Sequence, residues 1–212
     1  MPIKIESHPS ATGIYTLTNP NGSIARGITL PDADTTLVGT DATQTLTNKT
    51  IQNSVIQGGT LIQSSTFNAT GASIDFTGIP TWAKRLTLGF TNLSTNGTSN
   101  MIVQLGTSVG LTTSGYLATT GQLSSGATAF TNGFGLSHST AAATTIHGVA
   151  TFMHLGSNLW AYSMMGAYTN AAAVLGGGGS VTLTGVLSNI RVTTVLGTDS
   201  YDSGTLSLIW EG

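Results

Sequence analysis

Apolar and polar residues alternate in short runs along much of this chain, each run bounded by Gly, Asn or Ser, and no stretch sustains a helical period for three turns. Period two sends successive side chains to opposite faces of a strand, so the pattern predicts an all-β protein. The clearest strands are expected at Leu86–Phe90, Met101–Leu105, Val149–Leu155, Leu159–Met165, Val181–Leu187, Ile190–Leu196 and Leu206–Trp210. Strands of this number separated by turn residues predict a β-sandwich, a jelly roll or a related barrel. Asn92–Asn100, centred on Asn96 and Gly97, carries the turn chemistry of a hairpin loop. The run Gly176–Gly179 reads as a flexible surface loop.

The first part of the chain has a different pattern. Pro2, Pro9, Pro20 and Pro31 cut it into pieces too short to enclose a core, and proline lacks the donor that a central strand needs. Residues 1–40 therefore read as an extended arm that needs a partner surface. Over residues 41–75 one or two apolar residues return about every five positions among Gln, Asn, Ser, Thr and Gly. A single ribbon of that kind exposes both its sides, whereas three wound about an axis bury the apolar stripe, so this stretch is expected to be an intertwined stem. Residues 76–212 are expected to form the C-terminal sandwich head.

Charge sharpens this picture. Only 7% of the 212 residues are Asp, Glu, Lys or Arg, about a quarter of the usual share, and none lies between Leu86 and Ile190. Six Lys and Arg with a net charge of -2 argue against nucleic-acid binding and against a basic membrane-binding patch. Disorder is also disfavoured, because 39% of the residues are hydrophobic and the net charge is small. No run approaches the length of a spanning helix, and Met1–Glu6 lacks the pattern of a secretory signal. Cys is absent, so disulfides and thiolate metal sites are excluded. Thr and Ser take the place of charge. A strand such as Val181-Thr182-Leu183-Thr184 has one apolar and one hydroxylated face, which predicts a sheet partly covered by another subunit.

Candidate chemistry is sparse. In and beside the head the carboxylates are Asp75, Asp199, Asp202 and Glu211, too near its ends to place a hydrolytic pair across a cleft. Asp199 and Asp202 read as turn residues. His147 and His154 are seven apart, an odd spacing that puts them on opposite faces of a strand and argues against a shared metal. The glycine run lacks the Lys and Ser/Thr of a phosphate loop. No catalytic residue, cofactor or metal is expected. Trp160 and Tyr162 share a face of one strand, with Tyr168 in the loop beyond. Aromatic faces stack on sugar rings, so these three are candidate glycan contacts, against the plainer reading of Trp160 and Tyr162 as core or interface.

The segment Leu37-Val38-Gly39-Thr40-Asp41-Ala42-Thr43-Gln44-Thr45-Leu46-Thr47-Asn48-Lys49-Thr50-Ile51 resembles an element that recurs in tailed-bacteriophage fibre and virion appendage proteins. The preceding Gly13–Thr18 and Ile28–Asp32, and the closing Tyr201–Gly212, are similar to segments of the same proteins. The middle, about 114–179, shares only their composition. The resemblance implies a homotrimeric appendage on the virion surface, made in the bacterial cytoplasm, with its N-terminus on the particle and its β head distal. Thr45, Leu46, Thr47, Asn48, Lys49 and Thr50 would then belong to the attachment and stem motif. Expected partners are other copies of the chain, capsid or tail proteins, and host surface glycan, with no nucleic acid and no membrane insertion. Three destinations follow: a receptor-binding tail fibre, a capsid decoration protein, or a free carbohydrate-binding module.

Overall fold

The computed structural model describes residues 62–123 and 125–212. The expected arm, most of the expected stem and the Thr45–Thr50 motif lie outside the described residues. Those described contain fourteen strands and no helix: β1 (Ile62–Gln63), β2 (Phe67–Asn68), β3 (Ile74–Thr77), β4 (Arg85–Thr95), β5 (Met101–Thr107), β6 (Gly110–Leu111), β7 (Leu117–Gln122), β8 (Gly126–Phe130), β9 (Phe134–Gly135), β10 (Ile146–Gly156), β11 (Leu159–Tyr168), β12 (Val174–Thr182), β13 (Leu187–Thr194) and β14 (Tyr201–Glu211). All pairings are antiparallel. One sheet runs β1-β14-β4-β10-β11-β12-β7-β8, with β2 also on β14; the other runs β3-β13-β5-β6, with β9 also on β5.

Alternation sets the core. Leu86, Leu88 and Phe90 of β4, Phe152 of β10 and Leu206 and Leu208 of β14 point inward from the larger sheet. They join one apolar cluster with Val103 and Leu105 of β5 and Ile190 and Val192 of β13. Aromatic rings fill the end under β9. Phe134 stacks on Tyr162 at 4.6 Å between ring centres and meets Tyr116 edge-on at 4.8 Å. Such contacts add about 0.5–1.5 kcal/mol each beyond area burial.

Several expectations are corrected. Gly176–Gly179 is not a surface loop: it lies within β12, paired on both sides, with β11 and with β7. A methyl on Gly179 would come within 2.4 Å of the Leu117 carbonyl, and one on Gly177 within 2.6 Å of Thr120 Oγ1, so packing explains why these inward positions are glycine. Asn92–Asn100 is not a hairpin loop, because it joins β4 in one sheet to β5 in the other. The strand expected at Val181–Leu187 splits: β12 ends at Thr182 and β13 begins at Leu187 in the opposite sheet. The sandwich also starts before residue 76, since β1 and β2 pair with β14 and β3 pairs with β13.

One end of the sandwich is tied by uncharged donors with a single carboxylate. Ser99 N–H donates to Asp199 Oδ2 at 2.7 Å, Leu196 N–H donates to Ser99 Oγ, and Ser200 N–H donates to Asn96 Oδ1. Asn100 Oδ1 accepts from both the amide and the hydroxyl of Thr140. A Cβ on Gly97 would sit 2.2 Å from the Asp199 carboxylate, so glycine there is what admits the clasp.

Candidate functional site

The charged groups of the sandwich are few and dispersed. Arg191 holds Asp75 by two hydrogen bonds of 2.7 Å between β13 and β3, and Arg85 pairs with Glu211 between β4 and β14. The Asp75 contact raises the Arg191 pKa. Asp199 is engaged in the loop clasp, while Asp202 lines a separate open hollow with Asn68 and Asn92. The turn role read from the sequence is corrected for both: Asp199 accepts from the distant Ser99 amide and not from the backbone of its own turn, and Asp202 lies within β14. Among the described residues no three His, Asp or Glu side chains are grouped as a metal site would require.

His147 and His154 diverge as their spacing predicts. His147 is exposed on the outer face of β10. His154 lies over Trp160 at 5.2 Å between rings, with Nδ1 3.5 Å from Lys84 Nζ. Desolvation and the Lys84 charge lower its pKa.

The aromatic glycan candidates are corrected by burial. Trp160 and Tyr162 do share a face, but it is the inner one: they are 3% and 4% exposed. The Tyr162 hydroxyl donates to the Gly135 carbonyl, and burial pushes its pKa well above the usual range. These rings pack the core and present nothing to a sugar. Tyr168 is not in a loop; it is the last residue of β11, half-buried, and its hydroxyl donates to the His138 carbonyl. Desolvation raises its pKa. Tyr116 and Tyr201 are likewise buried with raised pKa values, the Tyr116 hydroxyl donating to Thr112 O and that of Tyr201 to Thr193 O.

The remaining concavities are shallow and open. One of about 510 Å³ is lined by Thr98–Asn100, Thr128–Asn132, Val195 and Leu196, another of about 570 Å³ by residues of β2, β4 and β14 around Asp202. Both offer hydroxyl and amide groups, with Asp202 the one charged side chain between them.

The most distinctive surface is the outer face of the larger sheet. The register places Val149, Met165, Gly176 and Gly121 in one cross-strand row, and Met153, Ala161, Ser180 and Leu117 in the next but one. Val149 is 47% exposed, Met165 64% and Leu117 77%. Between these rows lie Thr151, Ser163, Gly178 and Thr119. Met164 is buried and its neighbour Met165 faces out. A signal was present: β10 and β11 carry large apolar residues at both parities, the mark of a strand covered on both faces.

Fold and surfaces together define an antiparallel all-β sandwich, neutral over most of its length, in whose described part the few charged side chains are dispersed. Compared with protein-family models, curated proteins and solved structures, the chain matches none.

Proposed function

We propose that this chain is a bacteriophage virion structural protein: a homotrimeric appendage, attached to the particle by its N-terminal region and meeting the host surface with its C-terminal domain. The observation that carries this reading is the Thr45–Thr50 element and its flanks, which resemble appendage proteins and stand ahead of a neutral sandwich. The strand order supports the jelly-roll form of that sandwich. Taking β2, β3, β4, β5, β9, β10, β13 and β14 as strands one to eight, the sheets read 1-8-3-6 and 2-7-4-5, an eight-stranded double Greek key. The hairpins β7-β8 and β11-β12 then extend one sheet beyond that frame.

The mechanism is binding without turnover. An arm of alternating Thr and Leu suits strand addition to another virion protein. Three linked heads multiply weak contacts through effective concentration, so recognition of host glycan need not be tight at a single site. Hydroxyl and amide groups make those contacts largely independent of salt.

Electron microscopy of intact particles labelled with an antibody to the sandwich tests the proposal. A few labelled sites at the tail support the receptor-binding fibre. Dense label over the head reassigns the same structural protein to capsid decoration. Particles without label, with the chain found free in the lysate, overturn the virion assignment and leave the free carbohydrate-binding module.

A further inference from the structure

We infer that the outer face of the larger sheet, centred on Val149 and Met165, is the surface by which copies of this chain pack on one another. This deepens the homotrimer reading by naming the surface on which it rests, and four features of the protein point to it.

Five exposed apolar side chains share this one face: Val149, Met153, Met165, Val174 and Leu117. The positions among them are Thr, Ser, Gly and Ala with His147, and the Arg85–Glu211 pair stands at one corner beside Met153. Shape is the second feature. Gly89 and Gly148 lie in the wall of a hollow of about 360 Å³ across β14, β4 and β10, flanked by Val149 and Ser207, while Met165 stands exposed beside Val149. A face with both a recess and an unbranched, adaptable side chain suits close packing.

The third feature is area. From β14 to β8 the sheet is seven strands wide, about 29 Å at the usual spacing, and strands of nine residues give about 30 Å of length. The product, roughly 900 Å², is close to the ~800 Å² that each partner contributes to a standard stable interface.

Charge selects the occupant. The stretch Leu86–Ile190, which supplies β10, β11, β12, β7 and β8, has no Asp, Glu, Lys or Arg. Beyond the Arg85–Glu211 pair at the corner, whose charges already satisfy each other, nucleic acid, anionic lipid or a charged protein would find nothing to pair with and would lose hydration on docking. The chain's own first 61 residues are also a poor match, since they hold Lys4, Glu6, Arg26, Asp32, Asp34, Asp41 and Lys49, half of all its charges. A second copy brings a neutral surface, and the edge strand β8 needs no protecting charge if association covers it.

The absence of cysteine makes a direct test possible in the full-length chain. Single variants Val149→Cys and Met165→Cys report on the face, and Leu196→Cys, on an exposed loop elsewhere, is the control. Each is reacted with a maleimide while native mass spectrometry gives the copy number. The expected result is an oligomer in which both face cysteines react at least about tenfold more slowly than Cys at 196, the difference vanishing in denaturant. An oligomer with all three reacting alike overturns the interface while the homotrimer stands. A dimer with protected face cysteines keeps the interface and removes the trimer. A monomer overturns both, and slow face labelling in that monomer would mean that the chain covers its own face.

Discussion

The two sheets of the sandwich treat their outer faces in opposite ways. On the smaller sheet, Ile102 of β5 points away from the core yet is 0% exposed, because the chain after β8 crosses it. A methyl on Gly133 would come within 2.8 Å of Ile102 Cδ1, and Gln104 Nε2 donates to Asn132 O. What remains open on that face carries the Arg191–Asp75 pair. On the larger sheet no described segment covers Val149 or Met165, and the one ion pair of that face, Arg85–Glu211, sits at its corner beside Met153. The protein closes one face with its own chain and leaves the other apolar. Side chains of similar hydrophobicity therefore serve different ends: those on β5 stabilise the protomer, whereas those on β10 and β11 are available to a neighbour.

The largest effect that sharpens this contrast comes from alkali, which attacks the fold and not the face. Burial raises the pKa values of Tyr116, Tyr162 and Tyr201 above their ordinary value near 10. Their protons stay on in the folded state and leave the unfolded one, so the stabilisation is complete below about pH 10 and is lost as pH rises. Denaturant titrations should show stability falling by up to about 4 kcal/mol per pH unit there. A slope near zero would mean that these hydroxyls are open to solvent.

Next in size is the pair Ile102→Ala and Met165→Ala. The first should destabilise the protomer by about 2–4 kcal/mol through a cavity under the 131–134 crossing and leave copy number unchanged at concentrations where the protomer is folded. The second should alter protomer stability by less than about 0.5 kcal/mol and weaken association. Equal effects of the two on denaturant midpoint would erase the distinction between the faces.

The same contrast recurs within β12. Gly179→Ala puts a methyl against the Leu117 carbonyl and should destabilise by about 1–3 kcal/mol. Gly178→Ala has its nearest neighbour at 3.7 Å and should leave protomer stability unchanged or raise it by up to about 1 kcal/mol. Thermal melts of the two variants decide between a buried strand and a loop. The smallest effect belongs to Asp75→Asn, which removes an exposed ion pair and should lower stability by no more than about 1 kcal/mol, less in high salt.

Much of the sandwich was legible because alternation is a direct imprint of a two-sided sheet. Leu86-Thr87-Leu88 of β4 and Leu208-Ile209-Trp210 of β14 pair in register. β12 escaped because four glycines have no side chains to alternate, and the reason for them lies in a different strand: Tyr162 pairs with Gly179, and its hydroxyl would lie 3.1 Å from a methyl on Gly177. The shared face of Trp160 and Tyr162 could be read from their spacing. Which face was inner could not, because β11 has apolar residues on both sides and only its neighbours settle the parity. The sheet change at Asn92–Asn100 was hidden for a similar reason, since Asn-Gly marks a turn without saying where the next strand goes.

The central claim, that a neutral β face joins copies of this chain, is tested most directly by sedimentation equilibrium of the full-length protein from low salt to about 1 M salt. The account predicts a species of three times the 21.6 kDa chain mass, unchanged or tightened as salt rises, because the centre of the contact is apolar and the Arg85–Glu211 pair at its corner joins two strands of one chain. A monodisperse monomer, or an oligomer that salt dissociates, would contradict it.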